Sequence, residues 1–80
     1  MLSVKSDLKK VFAKVLKEIR LEHGLSQQAL ADYCDLERVY ISKLERGISM
    51  PSIETIFRIA EVLKMGPEEL VERINKHVKY

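Results

Sequence analysis

Leu8, Val11, Phe12, Val15, Leu16 and Ile19 fall at three- and four-residue steps, the spacing that turns one side of a helix toward a core. Lysines take the opposite, solvent-facing side. Ser6 is placed to cap this first helix and Gly24 to end it. Ser26 then offers a cap for a short helix, Gln27 to Tyr33, with Leu30, Ala31 and Cys34 inward. After Cys34-Asp35-Leu36, the pattern predicts a third helix from Glu37 to Arg46, stopped by Gly47. Its inward residues are Ile41 and Leu44, and Arg38, Val39, Ser42 and Lys43 face out. Residues 47–51 read as a loop, and Ser52 caps a fourth helix whose apolar set (Ile53, Ile56, Phe57, Ile59, Ala60, Leu63) is broader than one stripe. Gly66 and Pro67 punctuate. Pro67 suits the first helical position of a fifth helix to about His77, and Glu68 and Glu69 suit the positive end of its dipole. No strand-like alternation, repeat or low-complexity tract occurs. The expectation is an all-α fold of five short helices.

The 80 residues, 46% hydrophobic and 32% charged, amount to one domain over 1–80. A chain this short buries only about 60% of its unfolded surface and often relies on a disulfide, a metal or a second subunit. Cys34 is the sole cysteine, and no Cys or His pair stands at metal-ligand spacing, so self-association is what remains. His23 and His77 stand beside helix ends, where they suit the dipole better than a metal, and Cys34 reads as a small core hydrophobe. No apolar run nears the roughly 18 residues of a membrane span, and 1–10 lacks the apolar stretch of a signal peptide. A cytoplasmic protein with no membrane partner is expected. No nucleophile sits by a base and no glycine-rich phosphate loop occurs, which argues against an enzyme, a cofactor or a small-molecule ligand. The formal net charge of +2 conceals an asymmetry: residues 1–20 hold six basic side chains against two acidic, whereas 21–52 hold three against five. Charge by itself is thus a weak argument for nucleic acid.

The informative stretch is 27–46. Two short helices joined by a three-residue turn cross steeply, and the small Ala31 stands where they must touch. Leu30, Cys34, Leu36, Ile41 and Leu44 close a miniature core beneath, so the second helix is held outward, shaped for a major groove about 12 Å wide. At these residues the chain resembles the phage Cro and repressor type of helix-turn-helix regulators, the XRE family. The resemblance is carried by Ile19-Arg20, Leu25-Ser26-Gln27, Leu30-Ala31, Tyr40 to Gly47 and Pro51 to Thr55. Small stand-alone regulators of that family, including controller proteins of restriction-modification systems, have a similar run to Leu36-Glu37-Arg38-Val39-Tyr40-Ile41-Ser42.

The resemblance implies a phage-repressor-like fold and sequence-specific binding to double-stranded DNA, with helix 37–46 in the major groove. It gives base reading to Arg38, Val39, Ser42 and Lys43. Arg38 suits guanine O6 and N7, and Val39 a thymine methyl. Backbone contacts fall to Gln27, Tyr40, Arg46, Ser49 and Ser52. Arg20 and Glu45 form a structural ion pair. The chain departs from the family pattern in three places: Asp35 where the turn usually has glycine, Ala29 where a capping box has glutamate, and Glu37 near the DNA face. One reading helix covers few base pairs, so a homodimer on a palindromic operator is expected. Leu70, Val71, Ile74 and Val78, on and just past the terminal helix of about 67–77, are the candidate dimer face, with Ile53, Ile56 or Phe57 able to join. A protein-interaction module or antitoxin built on the same helices is the alternative, encouraged by the acidic balance of 21–52.

Overall fold

The computed structural model describes residues 4–78, with side chains from Leu8 onward. Five helices and no strand occur among them: α1 (Val4–Glu22), α2 (Gln27–Cys34), α3 (Arg38–Glu45), α4 (Ile53–Val62) and α5 (Pro67–Asn75). α1 begins at Val4, so Ser6 stands inside the first turn and not at its cap, and its side chain lies outside the described ones. α3 is a residue shorter at each end than its pattern suggested, with Glu37 and Arg46 as flanking caps. α5 stops at Asn75, two residues before His77.

The first four helices all stop in the same way. After α1, Gly24 takes φ +66°, its N–H reaches the Leu21 carbonyl and the Leu25 N–H reaches that of Arg20. The same pair of bonds follows α2 at Asp35 and Leu36, α3 at Gly47 and Ile48, and α4 at Lys64 and Met65. This is the Schellman termination, which needs a left-handed residue just past the helix and satisfies its last carbonyls. Glycine supplies that residue twice; Asp35 (φ 57°) and Lys64 (φ 56°) do so despite their side chains. At the other ends, Ser26 Oγ accepts from Ala29 N at 3.0 Å and Ser52 Oγ from Thr55 N at 3.1 Å. With alanine at 29, α2 has only that half of a capping box. Glu69 supplies the carboxylate half at α5, accepting from Gly66 N at 3.2 Å.

The core gathers one face from every helix. Phe12, Leu16 and Ile19 of α1 meet Leu30 and Ala31 of α2, Ile41 and Leu44 of α3, Ile59 and Leu63 of α4, and Leu70 of α5, all nearly or completely buried. α3 packs on α1 and α2, α4 on α2 and α5, and α5 back on α1. Leu70 (0% exposed) and Ile74 (8%) therefore belong to the chain's own interior, and Val78 is half-buried against it. Of the four residues put forward as a dimer face, Val71 alone projects well into solvent, at 52%. Ile53 and Phe57 of α4, which the pattern grouped with the core, lie open on the surface beside it.

Candidate nucleic-acid interface

α3 is positioned from beneath. At about 100° per residue, Ile41 and Leu44 lie on its inner side, while Arg38, Ser42, Arg46, Val39 and Lys43 fall within one outer arc of about 140°. Arg38, Val39, Lys43 and Arg46 are exposed and Ser42 is half-buried. Three cations, a hydroxyl and a branched apolar side chain thus share one convex face, with Glu37 exposed at its leading edge. Ala31 is fully buried between α2 and the helices it packs on, where a larger side chain would push α3 away.

One ion pair fixes this face to α1. Arg20 Nε donates to Glu45 Oε2 at 2.6 Å and its Nη2 to Oε1 at 2.9 Å, with the two side chains 9% and 4% exposed. The carboxylate raises the guanidinium above its ordinary pKa, chiefly through the hydrogen bond. Arg20 Nη1 also donates to the Leu25 carbonyl at 2.8 Å, tying the loop before α2 to the same group. Gln27, expected at the DNA backbone, is half-buried at the start of α2, and its Nε2 donates to Glu45 Oε1 at 3.1 Å.

Tyr40 points back toward α4: it is half-buried, with its hydroxyl 3.4 Å from Thr55 Oγ1, which Ser52 Oγ approaches at 3.0 Å. Tyr40 and Ser52 are thus brought together at the first turn of α4, and the half-buried Ser49 belongs to the loop leading to it. Arg46 Nε lies 3.3 Å from the Ser42 carbonyl, which folds its guanidinium along the outer face of α3.

Arg58 was not foreseen. Its Nη1 donates to the carbonyls of Cys34 and Asp35 at 3.5 and 3.3 Å, and its Nη2 to Glu54 Oε2 at 2.8 Å, so α4 clasps the turn before α3. The Glu54–Arg58 spacing of four was a readable signal, but it explains only the pair on α4 itself. Arg73 likewise reaches Glu22 with both terminal nitrogens at 3.2 Å, joining α5 to α1 and holding the Glu22 carboxyl below its usual range. The His23 ring nitrogens lie 2.9 and 3.0 Å from the carbonyls of Ile19 and Leu63, at the ends of α1 and α4.

These pairings change the meaning of the charge count. Two of the five acids between 21 and 52, Glu22 and Glu45, are matched by arginines from outside that stretch. The acidic balance that encouraged a protein-interaction reading is therefore largely internal bookkeeping, while the outer arc of α3 stays cationic.

A short helix, a left-handed turn and a second helix presenting a cationic face define a DNA-binding helix-turn-helix regulator of transcription. Residues 16–70 match the helix-turn-helix family HTH_3, and the chain belongs to that family. It is 35% identical over 68 residues to the control protein C.BamHI of Bacillus amyloliquefaciens, covering 84% of each chain. The restriction-modification controller C.AhdI from Aeromonas hydrophila superposes with TM-score 0.75 at 39% identity, over 80% of this chain and 96% of that one. The controller C.Esp1396I, in a tetramer bound to its natural 35-base-pair operator, gives TM-score 0.78 at 33% identity, over 86% and 91%. Among the described residues no helix is long and apolar enough to cross a membrane.

Proposed function

We propose that the protein is a cytoplasmic, single-domain regulator of the restriction-modification controller type, acting as a homodimer on a palindromic operator. The observation that carries this reading is the outer arc of α3, which offers Arg38, Lys43 and Arg46 around Val39 and Ser42 on a helix locked from behind. Arg38 donates to guanine O6 and N7, Val39 packs on a thymine methyl, and Ser42 and Lys43 complete the base-reading set. Gln27 at the first turn of α2, Tyr40, Ser49 and Ser52 around the start of α4, and Arg46 at the end of α3 hold the phosphate backbone. C.Esp1396I, a similar chain, assembles on a long operator, which supports repeated half-sites here too.

The dimer face best supported is the apolar strip of Ile53, Phe57 and Val71, which edges a groove floored by Ile56 and Pro67. It lies on the α4–α5 side of the molecule and replaces a face centred on Leu70 and Ile74.

The test is titration of the protein onto duplexes of defined sequence at several salt concentrations. Affinity falls steeply with salt, in proportion to phosphates neutralised. Arg38→Ala relaxes preference at one symmetric pair of positions, by about 1–3 kcal/mol per site. Salt-insensitive binding, or an Arg38→Ala variant with unchanged preference, contradicts the reading.

A further inference from the structure

We propose that Glu45 is a positioning residue for the DNA contact of Gln27, fixing the amide before the duplex arrives. The inference rests on the DNA-binding reading above and specifies how one backbone contact is prepared. Glu45 Oε1 accepts from both Arg20 Nη2 and Gln27 Nε2, at 2.9 and 3.1 Å, in a side chain only 4% exposed.

A carboxylate can only accept, so it is the amide nitrogen and not the oxygen of Gln27 that must face Glu45. One hydrogen of that nitrogen is thereby engaged and the other remains as a donor. A phosphate oxygen is also purely an acceptor, so the remaining hydrogen is the one that can serve it. The half-buried Gln27 side chain thus has its orientation settled in the free protein, which removes part of the ordering penalty of binding. Arg20 is essential to this arrangement. A lone carboxylate beside a phosphate would repel it, and the two-pronged guanidinium contact cancels that charge. Because Arg20 also holds the Leu25 carbonyl at 2.8 Å, the chain entering α2 and the amide on its first residue are set by one group.

The experiment is a double-mutant cycle on the full chain, with affinities read by fluorescence anisotropy on a duplex selected from a random pool by the wild-type protein and on a random-sequence duplex. Gln27→Ala in the wild-type background weakens binding about tenfold on both duplexes alike. Glu45→Met keeps the side chain's length, removes both acceptor oxygens and shifts the baseline because it leaves the Arg20 charge unbalanced, so the quantity read is the further effect of Gln27→Ala in that background, expected to be no more than about twofold. An equal loss in both backgrounds overturns the inference. Gln27→Asn, one methylene too short to span from Glu45 to a phosphate, loses as much as alanine; wild-type affinity for it also overturns the inference. Should Glu45→Met fail to fold, the Gln27 side-chain amide of the wild-type protein decides by NMR. One proton shifted downfield and exchanging slowly supports the positioning role, and solvent-like resonances contradict it. A wild-type protein that binds neither duplex at low salt defeats the DNA reading itself, a distinct outcome.

Discussion

Asp35 and Lys64 occupy the left-handed position past α2 and α4 that Gly24 and Gly47 fill after α1 and α3. A side chain there crowds the following carbonyl, less so for aspartate, whose short polar group tolerates the conformation. Asp35→Gly and Lys64→Gly are each expected to raise stability by up to about 1 kcal/mol, the lysine position gaining more, in thermal or urea unfolding. A loss at both would mean that the termination geometry is not under strain. Cys34 packs under the turn with its Sγ 3.9 Å from the Arg58 carbonyl, and burial pushes its thiol up to about 11. The folded chain therefore keeps a proton that the unfolded chain releases above about pH 9, so stability declines as pH rises beyond that value. At pH 8 a thiol reagent should label Cys34 only as fast as the protein opens; immediate labelling in native buffer would contradict its burial.

At the scale of the element, α5 shows where sequence patterning stops deciding. Leu70, Val71, Ile74 and Val78 lie within one arc of about 100° on a helix, so periodicity marks an apolar face without saying which part of it meets the core. The rotation of α5 against α1 and α4 settles that question, burying Leu70 and Ile74 and leaving Val71 outside. α4 repeats the lesson: Ile56, Ile59, Ala60 and Leu63 fill the interior, and Ile53 and Phe57 sit at the edge of the same apolar sector, 74% and 56% exposed. Ile74→Glu should therefore unfold the chain, costing more than about 3 kcal/mol, because it buries a charge without a partner. Phe57→Glu or Val71→Glu should keep the fold and yield monomers in sedimentation velocity. Monomers that retain full operator affinity would remove dimerisation from the account. The helix-turn-helix unit is more legible, since Ala31, Ile41 and Leu44 have spacings with a single inward solution, while the left-handed turn at Asp35 follows only from the resemblance, in which glycine usually stands there.

For the whole molecule, what the chain could not announce were the contacts between distant elements. Arg58 on the turn before α3, Arg73 on Glu22 and Gln27 on Glu45 join residues 18 to 51 positions apart, and no local period encodes them. The Arg20–Glu45 pair is legible through family resemblance, not through spacing. These cross-links join the five helices into one support behind a cationic face, and they pair two of the five acids between 21 and 52, Glu22 and Glu45, with arginines from outside that stretch. On the proposed reading, this face reads base sequence in duplex DNA as one half of a two-fold assembly. Selection of bound duplexes from a random pool, followed by sequencing, tests it most directly. The expected outcome is an enriched inverted repeat with half-sites about one helical turn apart, lost when Arg38 and Lys43 are both replaced by alanine. A pool that remains random through successive rounds at low salt would contradict it.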